Sequence, residues 1–285
     1  MAASLAGHTE AVKCLLNEQA NIQIADNDGH TALHYASVSN HIETVRLLMD
    51  KGAIDTPADD GRTALILAGR NGHVETVGLL LDKGSKIDIA DNDGLTALIW
   101  ASRNGHVETV RLLLDKGADI HAIDNQGYTV LMWAGSNDHV ETARLLLDRG
   151  AKIDTANTGG FTALISACSN GYIETAKLLL DRGAKIDAAT KDGVTTLMWA
   201  SIYGHIEMVR LLLDKGANVD ITDNAGRTAL IYVSAQCRIE IAGLLLDKEA
   251  KMYIVAKNGQ TALSIAQAMR HKEMIQLLVE HDART

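Results

Sequence analysis

The chain has 285 residues, of which 47% are apolar, and this composition can form a substantial folded core. Only one proline stands against 24 glycines and aromatic residues make up 4%, which is unusual for a conventional globular enzyme. The formal net charge of −9, with no basic run, argues against nucleic acid binding, because counterion release needs a positive protein surface.

The cysteines and the apolar segments indicate the compartment. Cys14, Cys168 and Cys237 are far apart and form no CxxC pattern, so neither a disulfide framework nor a zinc site is predicted. No apolar run approaches the roughly 20 residues that cross a bilayer, and the N-terminus lacks the features of a signal peptide. We therefore expect no membrane association and an intracellular, most simply cytoplasmic, protein, or one in a host cytoplasm if it is exported.

A threonine-led motif recurs along almost the whole chain. The interval is 32 residues once and 33 residues six times, with the motif threonines at Thr31, Thr63, Thr96, Thr129, Thr162, Thr195, Thr228 and Thr261. A fixed period of this length is typical of proteins built from stacked repeats.

Residues 91–117 represent one copy and predict two short helices. Residues 91–94 are Asx and Gly, which favour a tight turn, and Thr96 is the expected N-cap of a helix over residues 97–103. Gly105 accepts the left-handed conformation that ends this helix, and a second helix follows with its apolar residues on one face. Helices this short are unstable alone, so the copies must stack on one another.

The motif D-x-x-G-x-T-x-L, followed by an alanine pair, G-H and a leucine-rich second helix, resembles the ankyrin repeat. The resemblance implies an all-α ankyrin-repeat solenoid of helix-turn-helix pairs with projecting β-turn fingers and a concave surface formed by fingers and first helices. Two departures stand out. The family's motif proline is replaced by Ala in most copies and by Val130 and Thr196 in two, and its motif histidine survives only as His34, with Ile, Met or Ser in the other copies.

We predict a single domain over residues 1–285 with nine repeats. Residues 1–25 form an incomplete first repeat, residues 26–255 form seven internal repeats, and residues 256–285 form a C-terminal cap. The start is either an abbreviated cap or part of a longer chain. Repeat eight is the weakest copy, because Cys237 and Glu249 replace glycines and Arg238 replaces a histidine. We expect residues 222–255 to exchange amide hydrogens faster than residues 90–220.

No catalytic, metal or cofactor site is predicted. One histidine position recurs between the two helices, and we call its residues the G-H histidines because glycine precedes most of them: His8, His41, His73, His106, His139, His205 and His271. Stacked helices lie about 8–10 Å apart, too far for one zinc ion to bind successive copies, so these histidines are expected to anchor the loop between the helices. No Ser-His-Asp arrangement and no phosphate loop is present. Cys14 and Cys168 are expected to be buried, and Cys237 to be more exposed.

The residue before each motif threonine differs between copies. This variation indicates that the position is not needed for the shared fold. Four apolar residues occupy consecutive copies with arginines on either side: Arg62, Leu95, Tyr128, Phe161, Val194 and Arg227. We expect these side chains to be exposed on the fingers and to mark an interaction site. The alternative is that they fold down onto their own fingers.

A second group of candidates lies on the first helices. Trp100, Trp133 and Trp199 recur two residues after a motif leucine and either pack between repeats or face the groove. The ankyrin resemblance also implies target contacts just before G-H, where Arg70, Arg103, Asn104 and Tyr203 stand.

We therefore predict a monomeric, non-catalytic scaffold or adaptor that binds an extended or helical segment of another protein, with its groove centred on repeats four to seven. Acidic fingers at Asp28, Asp59, Asp60 and Asp93 favour a partly basic target. The alternatives are a structural spacer or cap in a larger protein, a designed or recently duplicated array, and an enzyme built on the repeats.

Overall fold

The computed structural model describes residues 1–283, and within them the secondary structure is eighteen α-helices with isolated β-bridges and no sheet. The chain forms two compact units, residues 1–152 and the residues from 153 onward. Among the described helices, none is long and apolar enough to cross a membrane.

The first unit contains ten helices, which form consecutive pairs. They are α1 Ala2–Leu5, α2 Thr9–Asn17, α3 Ala32–Val38, α4 Ile42–Asp50, α5 Ala64–Arg70, α6 Val74–Asp82, α7 Ala97–Arg103, α8 Val107–Asp115, α9 Val130–Gly135 and α10 Val140–Asp148. First helices pack on first helices in the order α1, α3, α5, α7, α9, and second helices pack on second helices from α2 to α10.

The second unit repeats this arrangement with eight helices. They are α11 Ala163–Asn170, α12 Ile173–Asp181, α13 Thr196–Tyr203, α14 Ile206–Asp214, α15 Ala229–Gln236, α16 Ile239–Asp247, α17 Ala262–Ala268 and α18 Lys272–Asp282. The first helices α11, α13, α15 and α17 pack in sequence, as do the second helices α12, α14, α16 and α18. The predicted helical repeat architecture is confirmed.

The motif threonines begin the first helices, as predicted. The Thr96 hydroxyl oxygen accepts a hydrogen bond from the backbone N–H of Ile99 at 3.3 Å, which satisfies one of the free donors of the first turn. In repeat two the backbone N–H of the N-cap residue itself is satisfied, because the His34 Nδ1 accepts from the N–H of Thr31 at 3.1 Å.

In six other repeats a buried Ile or Met replaces the motif histidine, and Ile99 is 0% exposed. In the last repeat the Ser264 hydroxyl keeps the hydrogen bond, because it accepts from the backbone N–H of Thr261 at 2.8 Å. Apolar contact thus takes the place of this hydrogen bond where isoleucine stands.

The fingers of neighbouring repeats are joined by backbone hydrogen bonds within each unit. The N–H of Asn125 donates to the carbonyl of Asp93 at 3.0 Å, and the N–H of Asn224 donates to Asp192 at 2.8 Å. Gly94 is required at this contact, because its φ is +84° and a Cβ would lie 2.7 Å from the Asn125 nitrogen. The finger turn therefore also binds the finger of the next repeat.

The G-H histidines anchor each loop to the preceding repeat, as predicted. The Nε2 atoms of His106 and His139 lie 2.9 Å from the carbonyl oxygens of Arg70 and Arg103, which end the preceding first helices. In repeat eight, Arg238 takes this role, because its Nη2 donates to the carbonyl of Ile202 at 2.7 Å. The change from His to Arg therefore keeps the anchor.

Two other features of repeat eight match the expected strain. Cys237 and Glu249 have positive φ values of 57° and 60°, where glycine stands in most copies. Cys168 is buried, as predicted, and Cys237 is half-buried. The expectation for Cys14 is wrong, since it is exposed. Among the described helices α2 packs mainly against α1 and α4, and these contacts leave Cys14 exposed.

Candidate protein-binding surface

The aromatic residues of the first helices are held by an aspartate in their own finger turn. The indole Nε1 of Trp100 donates to Asp91, nine residues earlier, at 2.8 Å, and Trp133 donates to Asp124 at 3.0 Å. The second oxygen of Asp91 accepts from the backbone N–H groups of Asp93 and Leu95 at 3.1 and 2.9 Å. One carboxylate thus fixes both the finger turn and the ring.

The sequence carries this signal, although the sequence analysis did not use it. Aspartate stands nine residues before Tyr35, Trp100, Trp133 and Tyr232, whose N–H or O–H groups can donate. Alanine stands in the same place before Leu67 and Ile265, which have no polar group to satisfy.

Trp199 departs from this pattern. Thr190 occupies the aspartate position, and its hydroxyl is directed at the carbonyl of Val194 at 3.5 Å. The Trp199 Nε1 is buried and has no hydrogen-bond partner within residues 1–283. A buried unpaired donor of this kind is costly and uncommon in folded proteins.

In the first unit the predicted residues form one continuous cluster. The guanidinium of Arg103 lies 5.0 Å from the ring centroid of Trp100 and 4.4 Å from that of Trp133. Arg62 lies 5.4 Å from the Trp100 centroid, and the Tyr128 ring lies 5.1 Å from Trp133. Asn104 lies beside this cluster, and its Nδ2 donates to the carbonyl of Arg70 at 2.7 Å. The cluster joins finger and first-helix residues into one surface.

In the second unit a separate aromatic cluster lies on the finger and first-helix side. The Phe161 ring centroid lies 5.4 Å from that of Trp199, and the Tyr203 ring stacks on Trp199 at 5.7 Å with an interplanar angle of 10°. Tyr203 is 54% exposed. We call Phe161, Trp199 and Tyr203 the aromatic cluster.

The predicted exposure of the four apolar residues is wrong for two of them. Leu95 is 3% exposed and Val194 is 7% exposed, whereas Tyr128 and Phe161 are half-buried. This position lies where the finger returns to the helix, next to the buried N-cap threonine, and the exposed tip is formed by residues 92–93. Leu and Val therefore fold inward, and only the longer aromatic rings reach the neighbouring side chains.

Arg227 belongs to neither cluster. It forms an ion pair with Asp223 at 2.8 Å, and its guanidinium lies 4.7 Å from the Tyr232 ring centroid. Burial together with the adjacent Asp223 carboxylate raises the pKa of Tyr232 to about 12. Because its charge is already paired, Arg227 is less available to a partner than the sequence suggested.

The first finger brings together Asp26, Asp28 and His30, whose potential metal-ligand atoms lie within 4.8 Å of one another. Asp26 already accepts hydrogen bonds from the Tyr35 hydroxyl and from the backbone N–H groups of Asp28 and His30. These contacts account for the arrangement as a finger turn.

A protein-family model described as ankyrin repeats, in three copies, matches the sequence in overlapping windows. The matched residues are 1–59, 53–124, 86–157, 119–190, 153–223 and 185–256. No curated protein matches the sequence.

Proposed function

Because the chain belongs to the ankyrin repeat family, whose repeats are generally protein-protein interaction modules, we propose that it is a scaffold or adaptor without catalytic activity. The binding surface is the finger and first-helix side, and the partner is a segment of another protein. We propose that it acts as an intracellular monomer. Fold alone does not give function, which depends on particular side chains.

The observation that carries this proposal is the stacking of the exposed Tyr203 ring on the half-buried Trp199 ring. Tyr203 occupies a position where four other repeats have asparagine: Asn71, Asn104, Asn137 and Asn170. Asn71 and Asn104 donate to a backbone carbonyl of the preceding repeat, so the common residue has a structural role. Tyrosine gives up that contact and places a large ring in solvent beside two other aromatic rings, and a contiguous exposed patch of this kind commonly marks an interaction site.

Aromatic side chains with a polar end are among the usual anchors of protein interfaces. The Trp199 ring, which itself packs against Phe161, stacks on Tyr203 and limits its rotamers, so less conformational entropy remains to be lost on binding. The arrangement supports a site in which an apolar partner side chain packs on the rings while the tyrosine hydroxyl forms a hydrogen bond with the partner or with water.

The test is to replace Tyr203 by the residue of the sister repeats, Tyr203→Asn. This change should leave the fold intact and weaken partner binding by about 2 kcal/mol, roughly 30-fold. Tyr253→Asn is the matched control, since Tyr253 is 70% exposed and its hydroxyl contacts Asp282 on α18.

The three proteins would be immobilised and incubated with an extract of the source cells, and the retained proteins identified by mass spectrometry. We expect proteins that the wild type and Tyr253→Asn retain and that Tyr203→Asn loses. Equal retention by all three would remove the site assignment. Retention of nothing above a bead control would favour the structural spacer instead.

A further inference from the structure

Three arginines gather around one tryptophan in the first unit. The guanidinium carbons of Arg62, Arg70 and Arg103 lie 5.4, 4.8 and 5.0 Å from the ring centroid of Trp100. Arg62 is paired with carboxylates, since it contacts Asp60 at 3.0 Å and Asp91 at 3.7 Å. Arg70 and Arg103 differ from Arg62 in this pairing.

Arg70 and Arg103 have no carboxylate partner within residues 1–283. The arginines of the second helices, by contrast, pair with a glutamate one turn earlier, as Arg111 does with Glu108 at 3.3 Å. Carboxylates are plentiful in a chain of net charge −9. Two arginines without a carboxylate partner beside one ring therefore differ from the arginines of the second helices, which are paired.

The rings hold these cations in place. Arg103 lies between two rings, 5.0 Å from Trp100 and 4.4 Å from Trp133, and both rings are fixed by hydrogen bonds to Asp91 and Asp124. Both arginines are half-buried. A guanidinium over an aromatic face keeps its N–H edge available, and that edge matches a carboxylate in a two-bond geometry.

We propose that Arg70 and Arg103 bind the side-chain carboxylate of an Asp or Glu in the partner segment. This inference rests on the proposed function and adds the chemistry of the partner. The two arginines end α5 and α7, whereas the exposed carboxylates of Asp59 and Asp93 lie at the finger tips. A bound segment thus places its acidic residue over the first helices and any basic residue toward the fingers.

The test compares the wild type with a double variant, Arg70→Ser with Arg103→Ser. Serine stands at the equivalent positions 136 and 169, so the variant follows the sister repeats and should keep the fold. The control is Arg111→Ser with Arg144→Ser, which removes two arginines from second helices. Melting curves of all three full-length proteins establish that they are folded.

A random peptide display library is panned against each protein. We expect peptides selected by the wild type and by the control to be enriched in Asp and Glu, and this enrichment to be lost with the double variant. The tightest wild-type peptide is then synthesised with its acid intact, with that acid as the amide, and with phosphoserine in its place. The acid form should bind the double variant about tenfold more weakly than the wild type, and the amide form should bind both equally.

Selected peptides without acidic enrichment, or an amide form that binds the wild type as tightly as the acid, would overturn the inference. If those peptides still lost affinity for Tyr203→Asn, the proposed function would stand without it. Binding only of the phosphoserine form would replace the carboxylate by a phosphate and overturn the assignment. Selection of no peptide at all would contradict both proposals.

Discussion

The unpaired indole of Trp199 gives a prediction that can be worked out from the sister repeats. Replacing Thr190 by Asp would restore the residue that Asp91 and Asp124 provide for Trp100 and Trp133. The new carboxylate would accept from the Trp199 Nε1 with one oxygen and from the backbone N–H groups of residues 192 and 194 with the other, as Asp91 does for residues 93 and 95.

The expected gain follows from two opposing terms. Leaving a buried donor unpaired costs about 1–3 kcal/mol, and a hydrogen bond to a charged group contributes a similar amount. The opposing term is the desolvation of the new carboxylate. The equivalent carboxylates of the other repeats are buried to a similar degree, with Asp91 6% exposed and Asp124 8% exposed. The long contact of Thr190 with the Val194 carbonyl, 3.5 Å, is a small loss. We expect Thr190→Asp to raise the free energy of unfolding by about 1–2 kcal/mol.

The assay is urea unfolding followed by far-UV circular dichroism, combined with a double-mutant cycle. Trp199→Phe removes the indole N–H, so Thr190→Asp should gain about 1 kcal/mol less in that background. The reverse change, Asp91→Thr, should destabilise the first unit, because the Trp100 N–H loses its acceptor. An equal gain from Thr190→Asp with and without the indole would refute the reasoning, because the effect would then come from the finger turn alone.

Two further predictions concern single repeats. Cys237→Gly should stabilise repeat eight by about 1 kcal/mol, because a left-handed residue with a Cβ is strained, and hydrogen exchange over residues 222–255 should slow; unchanged exchange would place the weakness of this repeat elsewhere. Burial lowers the pKa of His34 below its ordinary value of 6.5, so the unfolded chain takes up a proton more readily than the folded one. The stability that His34 contributes is therefore fully present above about pH 6.5 and is lost as the pH falls below it. His34→Ile, the residue of several sister repeats, should reduce the difference in urea stability between about pH 7 and pH 5.5, and an unchanged difference would show that His34 is not its source.

Much of the fold could be predicted because each element is specified locally. Thr96 marks a helix start, Gly105 marks a helix end, and the G-H histidines mark a contact with a backbone carbonyl. These signals depend on residue type alone, and they recur at a fixed period. Repetition makes them visible without knowledge of the three-dimensional structure.

The candidate site was less predictable because it depends on which residues of different repeats meet. Leu95 and Phe161 occupy equivalent positions in their repeats, yet Leu95 is buried and Phe161 reaches the Trp199 ring. Nor does sequence show that Arg70 and Arg103 share one tryptophan, or that Arg238 keeps the histidine anchor. Side-chain length and the neighbour's shape decide these contacts, and neither follows from a repeat pattern.

The histidine anchor has a consequence for how such an array can change over generations. Its acceptor is a main-chain carbonyl, which a repeat offers whatever its side chains are, as the acceptors Val38, Arg70 and Ser169 illustrate. The aspartate and its aromatic ring lie nine residues apart, so a gene duplication copies both together. A repeat can therefore be inserted, lost or exchanged by recombination without separating a donor from its acceptor, and the number of copies is free to evolve.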